Sequence, residues 1–264
     1  MRELERDLPA TPSPHAPGLT GGLTIVGAGR AGGAIARAAG LAGIDVELLG
    51  RDRGLLPGSR VVLLCVPDAA IAEVCESFAD GLTGEAFVGH VSGALTLEAL
   101  APAARIGHKT FSLHPLQTIP TPDTDLTGAP CAVAGSDADS LGLARALASR
   151  LGMLPFDVPE DGRAAYHAAA AIASNFMITL EESAASLMGV AGVANPQATL
   201  APLVMRTAAN WAEAGAGAMT GPIARGDEAT VARHRAALAE CAPELQPLYD
   251  ALAERTRALA QVKR

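Results

Sequence analysis

Residues 23–36 read LTIVGAGRAGGAIA, and this stretch decides the fold. Leu23 to Val26 is a short apolar run of the kind that forms a buried strand. Gly27, Gly29 and Gly32 follow in G-x-G-x-x-G spacing, and a small-residue helical pattern begins at once. The first glycine permits a tight turn, the second lets backbone approach a pyrophosphate, and the third lets helix pack close to strand. The helix start then offers free N–H groups and partial positive charge to phosphate. With 28 glycines in the chain, the spacing alone carries little. The strand before it and the helix after it make the stretch a dinucleotide site, walled by Gly27, Ala28, Gly29, Arg30, Ala31 and Gly32.

Working outward, Ile44 to Leu49 reads as a second strand, ending at Gly50 and Arg51. An NAD site commonly places an acid here to hold the ribose 2′-OH. Arg51 and Arg53 suit a 2′-phosphate instead, because guanidinium pairs with it bidentately. NADP is therefore the expected cofactor; NAD remains possible, with Asp52 on the ribose. Arg60 to Val66 is a third strand, apolar throughout as in a sheet buried on both faces. Its end places Val66, Pro67 and Asp68 beside the cofactor, with Asp68 as N-cap of a helix over 69–78. A fourth strand, Ala86 to Val91, leads to Ser92, Gly93 and a short helix through Leu100. Ser92 there is a candidate for an anion or the nicotinamide amide. A fifth, Thr110 to Leu113, leads to His114 in a loop and a Pro-rich stretch over 117–130. Cys131 to Ala134 and Leu154 to Val158 are the last two strands, around a helix over 137–151 closed by Gly152. This alternation predicts an α/β fold with a doubly wound parallel sheet, whose ligands bind outside the carboxyl ends of the strands.

Past Pro159 strand signals vanish. One long Ala-rich helix is expected over 161–190, then helices over 196–215, from an N-cap at Asp227 to Glu240, and over 243–262. The expected plan is a mobile tail over 1–22, a dinucleotide-binding domain over 23–159 and an all-helical domain over 160–264.

The 264 residues are 49% hydrophobic but only 3% aromatic, so the core must be built from small aliphatic side chains. A net charge of −8 argues against nucleic acid or an anionic membrane as the main partner. Cys65, Cys75, Cys131 and Cys241 have no C-x-x-C or nearby His spacing, so no metal site is expected and the thiols read as reduced. No apolar run reaches the length of a membrane span, and the charged, Pro-rich start has no apolar segment of a secretory signal. A cytoplasmic protein is the expectation.

The motifs LTIVGAGRAGGAIA (23–36), LLCVPDAAIAEV (63–74), HVSGA (90–94), SLHPLQTIP (112–120), YHAAAAIASN (166–175) and MTGPIARGD (219–227) together resemble the Rossmann-like and DUF2520 domain proteins. These are relatives of pyrroline-5-carboxylate reductase, ketopantoate reductase and the 6-phosphogluconate and β-hydroxyacid dehydrogenases. The first two motifs are generic to that superfamily and the last three are more specific to the DUF2520 group. The resemblance implies a Rossmann sheet followed by a helical domain that builds a homodimer. It also implies an oxidoreductase acting on a small substrate, with a ketopantoate-like 2-oxo acid as a reasonable one. One departure stands out. The dehydrogenase relatives carry Lys-x-x-x-Asn on the first long helix; Asn175 matches the Asn, but Ala171 stands where the lysine would be.

Reduction of a C=O or C=N bond needs a group to protonate or polarise the heteroatom. The candidates are His114, past a strand end, and His167, near the start of the long helix. On a continuous helix His167, Ala171, Ser174 and Asn175 would share one face, with Asn175 catalytic and Ser174 on the substrate. Ser92, Gly93, Thr220 and Arg225 are further substrate candidates, Arg225 as a clamp for a carboxylate. His15, His90, His108 and His234 read as structural. The leading reading is NADPH-dependent reduction of a small 2-oxo acid. The alternatives are an imine reductase, whose C=N substrate needs a weaker acid, and a non-catalytic dinucleotide sensor.

Overall fold

The computed structural model describes residues 22–50 and 59–261. The tail before residue 22 and the loop holding Arg51, Asp52 and Arg53 lie outside the described residues. The chain divides into two compact units, residues 1–171 and 172–264. The first therefore continues past Pro159, where the sequence changes character.

The first unit runs β1 (Leu23–Val26), α1 (Arg30–Leu41), β2 (Val46–Leu49), β3 (Val61–Leu64), α2 (Ile71–Ala79), β4 (Phe87–His90), α3 (Ala101–Arg105), β5 (Lys109–Pro115), β6 (Pro130–Gly135), α4 (Ala138–Arg150) and β7 (Leu154–Asp157). It ends within α5 (Arg163–Ala173). The strands form one sheet in the order β2-β1-β3-β4-β5-β6-β7. The order reverses between β1 and β3, so their carboxyl ends open the crevice where such sheets bind ligands.

β3 shows why the sheet is a two-faced core. Val61 and Leu63 join one apolar cluster with Ile35 and Ala39 of α1 and Leu143 and Leu147 of α4. Val62 and Leu64 join the other, with Ile71 and Cys75 of α2 and Ala103 of α3. Successive side chains on a strand point to opposite faces, so an all-apolar strand needs helices on both.

The sheet is mostly parallel, as expected, with one exception: β6 is antiparallel to β5, and β7 is parallel to β6. The physical reason lies in residues 116–129, which hold no helix. A parallel return needs a crossover, usually a helix, to carry the chain back along the sheet. Here the chain turns back at once, with the Leu116 N–H donating to the Pro130 carbonyl at 2.7 Å. The same loop lies on α1: a Cβ added at Gly33 would stand 2.6 Å from Pro122 Cβ. That explains a glycine which the dinucleotide spacing leaves unused.

The second unit holds α6 (Asn175–Val190), α7 (Pro196–Ala214), the single turn α8 (Pro222–Arg225), α9 (Glu228–Cys241) and α10 (Gln246–Gln261). The Asp227 carboxylate accepts from the Thr230 N–H at 3.0 Å, capping α9 as its sequence predicts. α9 and α10 are joined by Arg235–Asp250 and Arg257–Glu228 ion pairs. The long helix expected over 161–190 is broken: Ser174, at φ −121° and ψ −74°, separates α5 from α6. No described helix is long and apolar enough to cross a membrane.

Candidate active site

The glycine turn is built as its spacing requires. Gly27 has φ +115°, a region open to glycine but strained for other residues. A Cβ on Gly32 would strike the Gly27 carbonyl oxygen, so only glycine lets α1 lie this close to β1. Gly29 is the N-cap of α1; a Cβ there would meet nothing within 4 Å. No side chain caps this helix, and its first turn holds no acid. The space beside Gly29 at this helix start is open among the described residues, an arrangement that fits an anionic phosphate.

Beside this turn, the ends of β3 and β4 are tied together. Asp68 does not cap a helix, contrary to expectation; it opens a single 3₁₀ turn. Its carboxylate instead accepts from Ser92 Oγ at 2.8 Å. Ser92 stands in a loop rather than at a helix start, and its Oγ accepts from the N–H groups of Ala94 and Leu95 at 3.2 and 3.0 Å. Its own N–H donates to His90 Nδ1 at 3.2 Å, while His90 Nε2 meets the Thr96 carbonyl at 3.2 Å. Both ring nitrogens are thereby used, and burial pushes the His90 pKa down to about 4. His90 is a neutral clamp, and His108 likewise bridges the Ala86 N–H and the Ala79 carbonyl.

His114 lies within β5 rather than in the loop after it. Its Nδ1 is 2.6 Å from Tyr166 Oη, the two rings meeting edge to face at 5.5 Å. The His167 ring centroid is 6.1 Å away. Both imidazoles crowd Gly93: a Cβ there would stand 2.8 Å from His114 Nε2 and Cε1 and 2.8 Å from His167 Cδ2. The structure therefore brings Ser92, Gly93, His114 and His167 together at the ends of β4 and β5. Burial first, and then the neighbouring His167 and Arg163, push the His114 pKa down to about 4. Burial pushes the Tyr166 phenol up to about 12. Both groups are neutral near pH 7.

Two residues of this cluster escaped sequence reasoning. Tyr166 stood inside the quoted YHAAAAIASN motif beside His167 but received no role. Arg163 is buried at the first position of α5. Its Nε donates to Glu160 Oε1 at 2.9 Å, Nη1 to the Ser92 carbonyl at 3.4 Å, and Nη2 makes a short hydrogen bond to Ser112 Oγ. Glu160 Oε2 in turn accepts from the Leu97 N–H at 2.8 Å. One guanidinium thus joins the loop after β4, strand β5 and the helix that carries Tyr166 and His167. The Glu160-x-x-Arg163 spacing at a helix entry was the available signal.

The remaining candidates belong to the second unit. Ser174 and Asn175 sit at the break between α5 and α6, so the single helical face expected for His167, Ala171, Ser174 and Asn175 does not exist. Asn175 is exposed, and its Oδ1 accepts from Ser174 Oγ at 3.4 Å. Thr220 and Arg225 are exposed, Arg225 on a single turn between Gly221 and Gly226. The four thiols are free, and no metal-binding group of His, Cys, Asp and Glu occurs among the described residues.

The Rossmann-like domain family matches residues 55–115, and the domain of unknown function DUF2520 matches residues 129–256. The second match begins at β6, where the sheet reverses direction, and so includes β6, α4 and β7 as well as the helices. No curated protein matches the chain in sequence. Among solved structures, BF3122 from Bacteroides fragilis, provisionally assigned as an NADP oxidoreductase, is 23% identical with a TM-score of 0.76, covering 89% of this chain and 97% of that one. A reductive aminase from Aspergillus terreus, in complex with NADPH and ethyl-5-oxohexanoate, is 16% identical with a TM-score of 0.64, covering 92% and 99%. A Plasmodium falciparum pyrroline carboxylate reductase with NADP bound is 12% identical with a TM-score of 0.61, covering 90% and 99%. These likenesses establish a shared fold.

Proposed function

We propose that the chain, which matches the Rossmann-like domain over residues 55–115 and the DUF2520 domain over residues 129–256, is an NADPH-dependent reductase of a small 2-oxo acid, ketopantoate-like in substrate class. One observation carries this reading: the uncapped glycine turn and the His114–Tyr166–His167 cluster lie at the carboxyl ends of parallel strands of one sheet, β1 and β5, with β3 and β4 between them. Gly27 to Gly32 would hold the pyrophosphate, Val66 to Asp68 and Ser92 the nicotinamide side, and Arg51 and Arg53 the 2′-phosphate. The nicotinamide supplies a hydride when bound. His114 then polarises and protonates the heteroatom of the reduced bond, and Ser92 and Gly93 shape the space around it.

A second reading, reduction of an imine, is favoured by the acid itself. His114 stays neutral well below pH 7, which makes it a weak donor. A C=N bond takes a proton more readily than a C=O bond. The reductive aminase and the pyrroline carboxylate reductase that share this fold are named for C=N chemistry.

The test is NADPH oxidation on a panel of 2-oxo acids and cyclic imines, with His114→Ala beside it. Turnover of one class, falling far more than NADPH affinity in the variant, supports the reading. Tight NADPH binding with no turnover of either class overturns it in favour of a sensor.

We further propose a cytoplasmic homodimer built through α6 and α7. Neither helix buries a single residue, and Phe176, Ile178, Leu203, Met205 and Trp211 are all more than half exposed. So large an apolar surface on a stable protein calls for a partner. Sedimentation of the purified chain as a monomer would refute this.

A further inference from the structure

The phenol of Tyr166 is held against the imidazole of His114, with an open edge of that imidazole on the other side. We propose that Tyr166 and His114 form a proton relay, in which His114 gives its Nε2 proton to the substrate heteroatom while Tyr166 restores one at Nδ1. The proposal rests on the reductase reading above.

Three observations support it. First, a phenol O–H is a stronger acid than a neutral imidazole N–H, so in the 2.6 Å contact Tyr166 donates and Nδ1 accepts. That leaves the ring hydrogen on Nε2. Second, Nε2 has no hydrogen-bond partner among the described residues, and no buried side-chain N or O among them is left unpaired. Nε2 is therefore open to the crevice, on the side of Gly93. Third, the ring cannot turn away freely. Tyr166 meets it at an interplanar angle of 88° and His167 at 76°.

The surroundings keep both members in the required state. Asp68 from the turn after β3, His90 from β4, and Arg163 and His167 from α5 face His114. Burial and the three basic neighbours outweigh the Asp68 carboxylate, so the imidazole stays uncharged. Cys131 from β6 and Arg163 from α5 face Tyr166, whose phenol burial keeps protonated.

The step balances as follows. The electron pair of the reduced C=O or C=N bond, displaced onto its heteroatom by hydride from a nicotinamide nucleotide, takes the proton from His114 Nε2. The Nε2–H bond breaks as a new N–H bond forms at Nδ1 with the Tyr166 proton. Imidazole ends neutral in its other tautomer, and Tyr166 ends as phenolate. Tyr166 is partly exposed and takes a proton back from solvent. The relay avoids an imidazolate, which is what makes a neutral histidine usable as an acid. Tyr166 acts through His114 and is thus a positioning residue for the proton.

The experiment is Tyr166→Phe, alone and with His114→Ala, joined to 15N NMR of the His114 ring in the full chain. The wild type should show the neutral Nε2–H tautomer from pH 8 to 5, and Tyr166→Phe should unpin it into a mixture. Turnover should fall about 10-fold or more in Tyr166→Phe, a part of the usual acid–base contribution, with unchanged NADPH affinity. Adding Tyr166→Phe to His114→Ala should cost nothing further, because the two act as one unit. A wild-type Nδ1–H tautomer, or an equal fall in both backgrounds, would overturn the relay. Absence of turnover in the wild type would instead refute the reductase reading, while the NMR still decides the direction of the hydrogen bond on which the relay stands.

Discussion

Gly93→Ala is the sharpest single-atom probe of the site. Gly93 is not among the glycines with positive φ, so alanine adopts its backbone without strain. The atoms nearest the added methyl are ring atoms, of His114 at 2.8 Å and of His167 at 2.8 Å. Restoring ordinary contact at about 3.4–4 Å moves one or both rings by roughly 0.6–1.2 Å. Stability changes little, because the two effects oppose each other. Overpacking costs about 1–3 kcal/mol in a tight core, and less against ring edges that can shift. Replacing glycine returns about 0.4–1 kcal/mol through the unfolded chain. The net expectation is a loss of about 0–2 kcal/mol. Catalysis responds far more, since a displacement of about 1 Å in a catalytic group costs on the order of 100-fold in rate, or about 2.7 kcal/mol of barrier. NADPH affinity should hold, because the glycine turn is untouched. The assay is steady-state NADPH oxidation beside thermal unfolding and direct NADPH titration. A variant with kcat within about threefold of wild type would show that the His114–His167 edge is not where chemistry occurs.

Three further outcomes are expected. Arg163→Met removes a cation whose side chain is 1% exposed and leaves Ser112 Oγ and the Ser92 carbonyl without their donor; with Glu160 still 41% exposed, the loss should be about 2–4 kcal/mol by denaturant unfolding. A loss below about 0.5 kcal/mol, the size of a surface substitution, would remove Arg163 from the framework. The buried His90 has its pKa lowered to about 4, so between pH 6.5 and 4 the unfolded chain binds a proton that the folded chain refuses. Stability should therefore fall as pH drops through that window, on the order of 3 kcal/mol from this group, and a flat profile there would contradict its neutral clamp role. Arg51→Asp should weaken NADP binding much more than NAD binding; equal effects on both would sink the cofactor preference read from the sequence.

Much of the nucleotide half was legible residue by residue. Gly27 and Gly32 announce themselves because their requirements are local: one needs a positive φ, the other a helix packed against a strand only a few residues away. The Asp227 cap was readable for the same reason, since its partner Thr230 is three residues on. Asp68 and Ser92 were placed at the right strand ends, Asp68 as a helix cap beside the cofactor and Ser92 as a contact for an anion or the nicotinamide amide, but not as partners of each other. Their carboxylate–hydroxyl bond spans 24 residues, and no local pattern encodes it. The break at Ser174 was hidden because α5 and α6 are both good helix sequences, and the alanine-rich pattern runs through the junction without a proline or glycine.

What the linear chain determined was the strands, most of the helices and the glycine turn, because strand, helix and tight turn depend on the few residues that make them. What only the folded chain decided was where distant groups meet. The reversal of β6 came from a helix-free return that keeps the chain at one end of the sheet. The His114–Tyr166 pair joins residues 52 apart, and Arg163 joins both the β4 and β5 ends. These contacts exist because the sheet aligns the carboxyl ends of β4 and β5 and α5 begins beside them. Their burial, not their sequence neighbours, holds the histidine neutral and the phenol protonated.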